Sequence, residues 1–291
     1  MRVRVFALLS ATVLFVLAAL PASANEGRGD DQAGYLALGD SVAFGYSPLL
    51  VNAGLAGNPA VFVGYPDIVA RSLDVHLVNA SCPGETTGGF LSLTNGLDYR
   101  CIPYRQHFPL HVSYSTAQLA FAIQYLSTHH NVRLVTMDIG ANDVFKLQTA
   151  CGGVATACFA NGLPAVLAAI DTNIRIIYNA IRNVAHYHHT LVTLTYYSLA
   201  YDRTTAAGTK QLNKPIIDAS KAFDATIASG FNAFKAKALA TPHKSSCEAG
   251  LLIVLTPAPN LTCDVHPTPL GRDLLARAVV KAVENGNNEQ N

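Results

Sequence analysis

Five short apolar runs, each closed by glycine or polar residues and separated by stretches of helical period, constrain this chain most. They are Tyr35 to Leu38, Val75 to Ala80, Val132 to Ile139, Leu191 to Tyr196 and Leu251 to Leu255. Runs of this length bounded by turn residues read as buried strands. Between them lie helix signals. Pro66 to Leu73 opens with a proline in its first turn, where the missing N–H goes unnoticed. Ser115 to Thr128 begins with a Ser115–Gln118 capping box and ends beside His129 and His130, which suit the negative end of its dipole. Further helices are expected over Pro164 to Val184, Asn213 to Leu239 and Leu270 to Val283. Val42 to Gly64 reads as a loop or short helix, and Ser92 to Tyr114 as irregular. Polar Tyr196 to Lys210 and proline-rich Thr256 to Pro269 read as loops. Repeated strand–helix alternation implies a parallel sheet covered on both faces. The expected fold is a flavodoxin-like three-layer α/β/α sandwich around a five-stranded parallel sheet, in the order 2-1-3-4-5.

The two ends of the chain stand apart from this pattern. Arg2 and Arg4 precede an apolar run from Val5 to Leu20 and then Pro21-Ala22-Ser23-Ala24. That is the form of a secretory signal peptide, residues 1–24, and the run is short for a membrane anchor. Residues 25–291 are then expected to form one domain, with a short mobile leader over 25–34 and a polar tail over 285–291. No other stretch reads as long and apolar enough to cross a bilayer, so no membrane span is expected after cleavage. The protein is expected to be extracellular and monomeric.

Six cysteines fit an exported chain: Cys82, Cys101, Cys151, Cys158, Cys247 and Cys263. Nearest neighbours are expected to pair, although six cysteines allow 15 connectivities. Spacings typical of zinc ligands are missing, so no metal is expected. With a formal charge of +1, 13% charged residues and no basic stripe, the chain does not suit a nucleic-acid partner. An uncharged or apolar ligand fits better.

Polar clusters follow the ends of the first, second, third and fifth expected strands. In a parallel sheet those ends share one edge, so the clusters can converge. Acyl transfer to water needs a nucleophile, a base and donors for the oxyanion. Ser41, after Gly39-Asp40, can be the nucleophile. His266 can be the base, because an imidazole exchanges protons near neutrality. Gly84 can offer an unobstructed backbone N–H, Asn142 its side-chain amide, and Ser41 its own N–H. Each residue also has a plainer reading. Asp40 or Ser41 can cap a helix, Asn142-Asp143 can form a turn, and Gly84 can serve a turn after Pro83. Four clusters in order, each after an expected strand, favour the catalytic reading.

These residues carry a family likeness. Gly39-Asp40-Ser41-Val42, Asn79-Ala80-Ser81-Cys82-Pro83-Gly84-Glu85-Thr86, Gly140-Ala141-Asn142-Asp143 and His266-Pro267 follow four family blocks. The chain resembles the SGNH hydrolases, also called GDSL esterases and lipases, over nearly all of residues 25–291. The resemblance implies a serine hydrolase of carboxylic esters without a cofactor, with Ser41 as nucleophile and Gly84 and Asn142 in the oxyanion hole. One block departs from the pattern. Family members usually place an aspartate three residues before the histidine, whereas here that position is Cys263 and the nearby acid is Asp264. Either Asp264 or a backbone carbonyl, most plausibly that of Cys263, can orient His266.

Other motifs fit less well. Ala43 breaks the G-x-S-x-G pattern, and Gly84 to Gly89 lacks the lysine of a phosphate loop. His186, His188 and His189 close an expected helix as dipole partners. Asn79-Ala80-Ser81 and Asn260-Leu261-Thr262 have the form of glycosylation sequons. The expected activity is hydrolysis of small-molecule or lipid esters by an esterase or lipase. A carbohydrate O-deacetylase and a non-catalytic binding module are the alternatives.

Overall fold

The computed structural model describes residues 32–94 and 100–289. The expected signal peptide and most of the leader lie outside the described residues. β1, Gly34–Gly39, is buried throughout and runs into α1, Ser41–Phe44. The stretch expected to be a loop or short helix holds α2, Pro48–Asn52, and a 3₁₀ turn, Pro59–Val61. Then come α3, Tyr65–Leu73, β2, His76–Asn79, and α4, Thr87–Leu91. α5, Cys101–His107, forms where irregular chain was expected.

α6 covers Gln118–Thr128, with Ala117 as an N-cap that makes no side-chain bond. The Ser115–Gln118 capping box therefore does not form, because the Gln118 amide is engaged elsewhere, on Gly39. β3, Val132–Asp138, leads to α7, Ala141–Ala150. α8 spans Ala157–Asn179 and continues as a π turn over Ala180–Val184. It starts earlier than its proline suggests, because Thr156 caps it by accepting from the Phe159 N–H at 3.1 Å. β4, Thr190–Thr195, is followed by α9, Arg203–Lys221, β5, Thr226–Ser229, and α10, Gly230–Leu239. β6, Leu252–Thr256, β7, Thr262–Pro267, and α11, Pro269–Glu289, complete the chain.

All five sheet strands are parallel and lie in the order β2-β1-β3-β4-β5, so the expected architecture and order both stand. The identity of the fifth strand does not. Asn213 to Leu239 is not one helix: α9 stops, the chain turns at Asp224 with φ +53°, and β5 pairs with β4. Leu251 to Leu255 therefore finds its place beside β4 taken. It pairs instead with β7 as a separate antiparallel hairpin, so the expected Thr256 to Pro269 loop contains a strand over Thr262–Pro267. The expected polar tail is helical to Glu289.

Strands buried on both faces explain the Leu, Val, Ala and Met residues that mark β1, β3 and β4. α11 packs on α3 and α10, while α8 packs on α4, α7 and α9 and α4 packs on α6, which gives two helical layers. Among the described residues, Ala157–Val184 is long and apolar enough, by length and composition, to cross a membrane. This corrects the expectation that no such stretch exists. In this fold the helix buries Ile170, Ile174 and Ile177 in the core. A second, smaller cluster, which includes Phe44, Phe62, Cys82 and Cys101 and is flanked by Tyr46 and Tyr104, packs the 42–64 segment against the Cys82–Cys101 bridge.

Candidate active site

β1 delivers Ser41 to the carboxyl edge of the sheet. Gly39 has φ +130°, and a Cβ there would sit 2.1 Å from the Asp138 carbonyl oxygen. Glycine alone lets β1 lie this close to β3 as it turns. Gln118 clamps the same residue, accepting from the Gly39 N–H at 2.6 Å and donating to its carbonyl at 3.1 Å. Asp40 caps α1 by accepting from the Val42 N–H at 2.9 Å. Ser41 is thus the first helical residue, half-buried, and its N–H has no acceptor among the described residues.

His266 reaches Ser41 from the β6–β7 hairpin, with Nε2 2.8 Å from the serine Oγ. Its Nδ1 bonds Asp264 Oδ1, which also accepts the His266 backbone N–H at 3.0 Å. The spacing of two makes sense on a strand, where residues i and i+2 share a face. Burial works to raise the Asp264 pKa, but the His266 hydrogen bond and charge outweigh it and hold the carboxyl below the usual range. The Tyr46 ring packs 4.8 Å from the imidazole. A disulfide between Cys247 and Cys263 anchors the residue next to Asp264.

Gly84 follows β2 and Asn142 follows β3, the two neighbours of β1 in the sheet. Gly84 has φ +80° in a buried turn, and a Cβ there would strike Arg100 at 2.3 Å. Its N–H has no acceptor among the described residues. The Cys82–Cys101 disulfide holds this turn, and the remaining bridge joins Cys151 to Cys158. Asn142 is buried, and its Nδ2 donates to the Glu85 carbonyl at 3.0 Å and more weakly to Asp40 Oδ2 at 3.3 Å. Asn79 is buried at the end of β2 and donates to the Ala43 carbonyl at 2.9 Å, which leaves no room for a glycan.

Ser41, Gly84, Asn142, Asp264 and His266 are therefore gathered at one edge. The sequence matches the GDSL-like Lipase/Acylhydrolase family over residues 37–274. The chain belongs to that family. It is a carboxylic ester hydrolase. No curated protein matched it by sequence. Among solved structures it resembles an extracellular lipase from Streptomyces rimosus, with TM-score 0.54, 16% identity and coverage of 87% of this chain and 99% of that one. A phospholipase A1 from Streptomyces albidoflavus gives TM-score 0.52 at 16% identity, covering 88% and 99%. An acetylxylan esterase from Geobacillus stearothermophilus gives 0.52 at 15%, covering 86% and 94%. At these identities the likeness is one of fold.

This GDSL hydrolase also holds polar residues at the site that the sequence motifs did not flag. Asp138 ends β3 fully buried, takes a hydrogen bond from the Tyr65 hydroxyl at 3.0 Å, and faces Asp40. Burial, then the neighbouring Asp40 charge, pushes the Asp138 pKa well up, which favours the protonated form that can donate to Asp40. Asp40 is raised by burial too, but hydrogen bonds from Tyr196, Val42 and Asp138 favour its anion. The cue was a lone acid in the apolar run before Gly140. Tyr196 and Tyr197 follow β4 at the same edge, where no cluster was expected. A close group of Cys82, Glu85 and Cys101 offers no thiolate to a metal, because its two sulfurs are bonded to each other.

Proposed function

We propose that this GDSL hydrolase is a secreted serine esterase or lipase that cleaves uncharged carboxylic esters through an acyl-serine intermediate. The carrying observation is the chain of contacts from Ser41 Oγ to His266 Nε2 and from His266 Nδ1 to Asp264. His266 takes the Ser41 proton as Oγ bonds the ester carbonyl carbon. Gly84, Asn142 and the Ser41 N–H receive the negative charge on the carbonyl oxygen. The carbonyl then re-forms, the bond to the alcohol breaks, and His266 returns its proton to the alcohol. Water repeats the sequence on the acyl-serine, releasing the acid and restoring Ser41. Asp264 holds the imidazole in the tautomer that leaves Nε2 free to accept.

The long Asn142–Asp40 contact supports the role given to Asn142, since one amide hydrogen can swing to an oxyanion by giving up a weak bond. The Tyr46 ring beside the histidine, backed by Phe62 and Tyr104, supports an ester with an apolar or planar portion. The same Tyr46 ring can serve as a platform for a sugar, which keeps a carbohydrate O-deacetylase as the second reading. Three disulfides and the Arg2–Ala24 segment support secretion.

Ser41→Ala is expected to lower kcat on a chromogenic ester by up to roughly 10⁶-fold, the loss that removing the nucleophile causes in a serine protease. Labelling of wild type by an organophosphonate should vanish in the same variant. A Ser41→Ala protein working at wild-type rate would overturn the reading. Rates over p-nitrophenyl esters of increasing acyl length, beside acetylated xylo-oligosaccharides, separate esterase, lipase and deacetylase.

A further inference from the structure

The two halves of the Ser41–His266 contact stand on separate parts of the fold. Ser41 follows β1 in the parallel sheet, whereas His266 lies on a hairpin outside it, so no sheet ladder fixes their spacing. Two consecutive side chains from the tip of β4 reach both. The Tyr196 hydroxyl donates to Asp40 Oδ2 at 2.6 Å, on the residue before the serine. The Tyr197 hydroxyl donates to the Val265 carbonyl at 2.5 Å, on the residue before the histidine.

The tip itself is held fast. Asn213 of α9 accepts the Tyr196 N–H at 3.0 Å and donates to the Tyr196 carbonyl at 2.7 Å. The Tyr197 ring stacks on Phe234 of α10 at 4.3 Å. Burial and nearby carboxylates push both phenols up, so both remain donors throughout the working range of pH.

Taking Ser41 and His266 in the roles given above, we propose that Tyr196 and Tyr197 are positioning residues that together set the distance between nucleophile and base. Tyr196 has a second effect. It shares Asp40 Oδ2 with Asn142, so its hydroxyl satisfies an oxygen that would otherwise pull the Asn142 amide away from the oxyanion.

The test compares Tyr196→Phe, Tyr197→Phe, the double variant and Ser41→Ala with wild type on p-nitrophenyl acetate. Each tyrosine variant should lose about ten-fold or more in kcat with KM within two-fold, because misplacement of reacting groups acts on the chemical step. Phosphonylation of the serine should slow in proportion, since it uses the same serine–histidine contact. The double variant should lose little more than the worse single one, as both hydroxyls serve one hydrogen bond. Folded variants with wild-type kcat and phosphonylation rate would overturn the proposal while leaving Ser41 in its role. An active Ser41→Ala protein would overturn the role itself. Should one tyrosine variant not fold, the other carries the test; failure of both to fold would assign the hydroxyls to stability and overturn the proposal.

Discussion

Asp264 is the residue on which the site's departure from the family pattern turns. Placed two residues before His266 on an extended strand, it meets Nδ1 on the same face. A spacing of three suits a loop or turn. The sequence signalled the acid but not the strand that brings it into line, so Asp264 and the Cys263 carbonyl both remained open. Asp264→Asn should lower kcat by about 10⁴-fold with little change in KM, following the serine-protease template. A near-silent variant would hand the role to a backbone carbonyl. Asn142→Ala should lose about 2.7–4 kcal/mol of transition-state stabilisation, seen as a fall in kcat with substrate binding kept. Ser41, Gly84, Asn142 and His266 were legible because each sits in a short motif after an apolar run. Asp138, Tyr196 and Tyr197 were not, because their significance lies in partners about 70 to 160 residues away.

Polar side chains join several elements here, and one such bracket, away from the serine, centres on a buried carboxyl whose pKa is raised. Asp143, in the first turn of α7, accepts the Thr87 N–H at 2.9 Å and the Thr87 hydroxyl at 2.6 Å at the start of α4. Asn173 of α8 completes the bracket by donating to Thr87 Oγ1 at 2.9 Å. Burial pushes the Asp143 pKa up to about 6, against the hydrogen bonds from Thr87 that lower it. The folded state thus binds the proton more tightly than the unfolded chain, whose carboxyl titrates near 3.9. Its contribution is fully present below about pH 4 and is lost as pH rises through about 6, by at most roughly 3 kcal/mol. Melting curves of wild type and Asp143→Asn between pH 4 and pH 7 check this: the variant should show a flatter dependence of Tm on pH over that interval. A second bracket, Cys247–Cys263, fastens β7 to the chain before β6. Reduction should lower activity at concentrations of reductant that leave the far-UV ellipticity unchanged. Simultaneous loss of both signals, or retention of full activity, would count against that link.

The whole molecule divides its labour between a buried sheet and an appended hairpin, and this division explains what the sequence revealed. β1, β3 and β4 are buried on both faces, so their composition alone marks them. β5 is a four-residue edge strand with one buried residue, too short to interrupt the helical period around it. β6 reads as a sheet strand by its apolar run, yet only Leu252 and Ile253 are buried while Val254 and Leu255 are exposed, and the residue pattern alone cannot tell such a hairpin strand from a member of the parallel sheet. The order 2-1-3-4-5 was correct because a strand does lie beyond β4, although a different segment supplies it. The division has a measurable consequence. The sheet should open only with global unfolding, whereas the two-stranded hairpin carrying Asp264 and His266 can open by itself. Hydrogen exchange should therefore show β1 and β3 amides protected to the global free energy, with β7 amides exchanging through a cheaper opening. In a urea titration, ester hydrolysis should fall at lower urea than ellipticity does, because loss of His266 from Ser41 needs only the local step. Coincident loss of activity and ellipticity, with β7 protected as strongly as β1, would show instead that the hairpin is part of the same cooperative unit as the sheet.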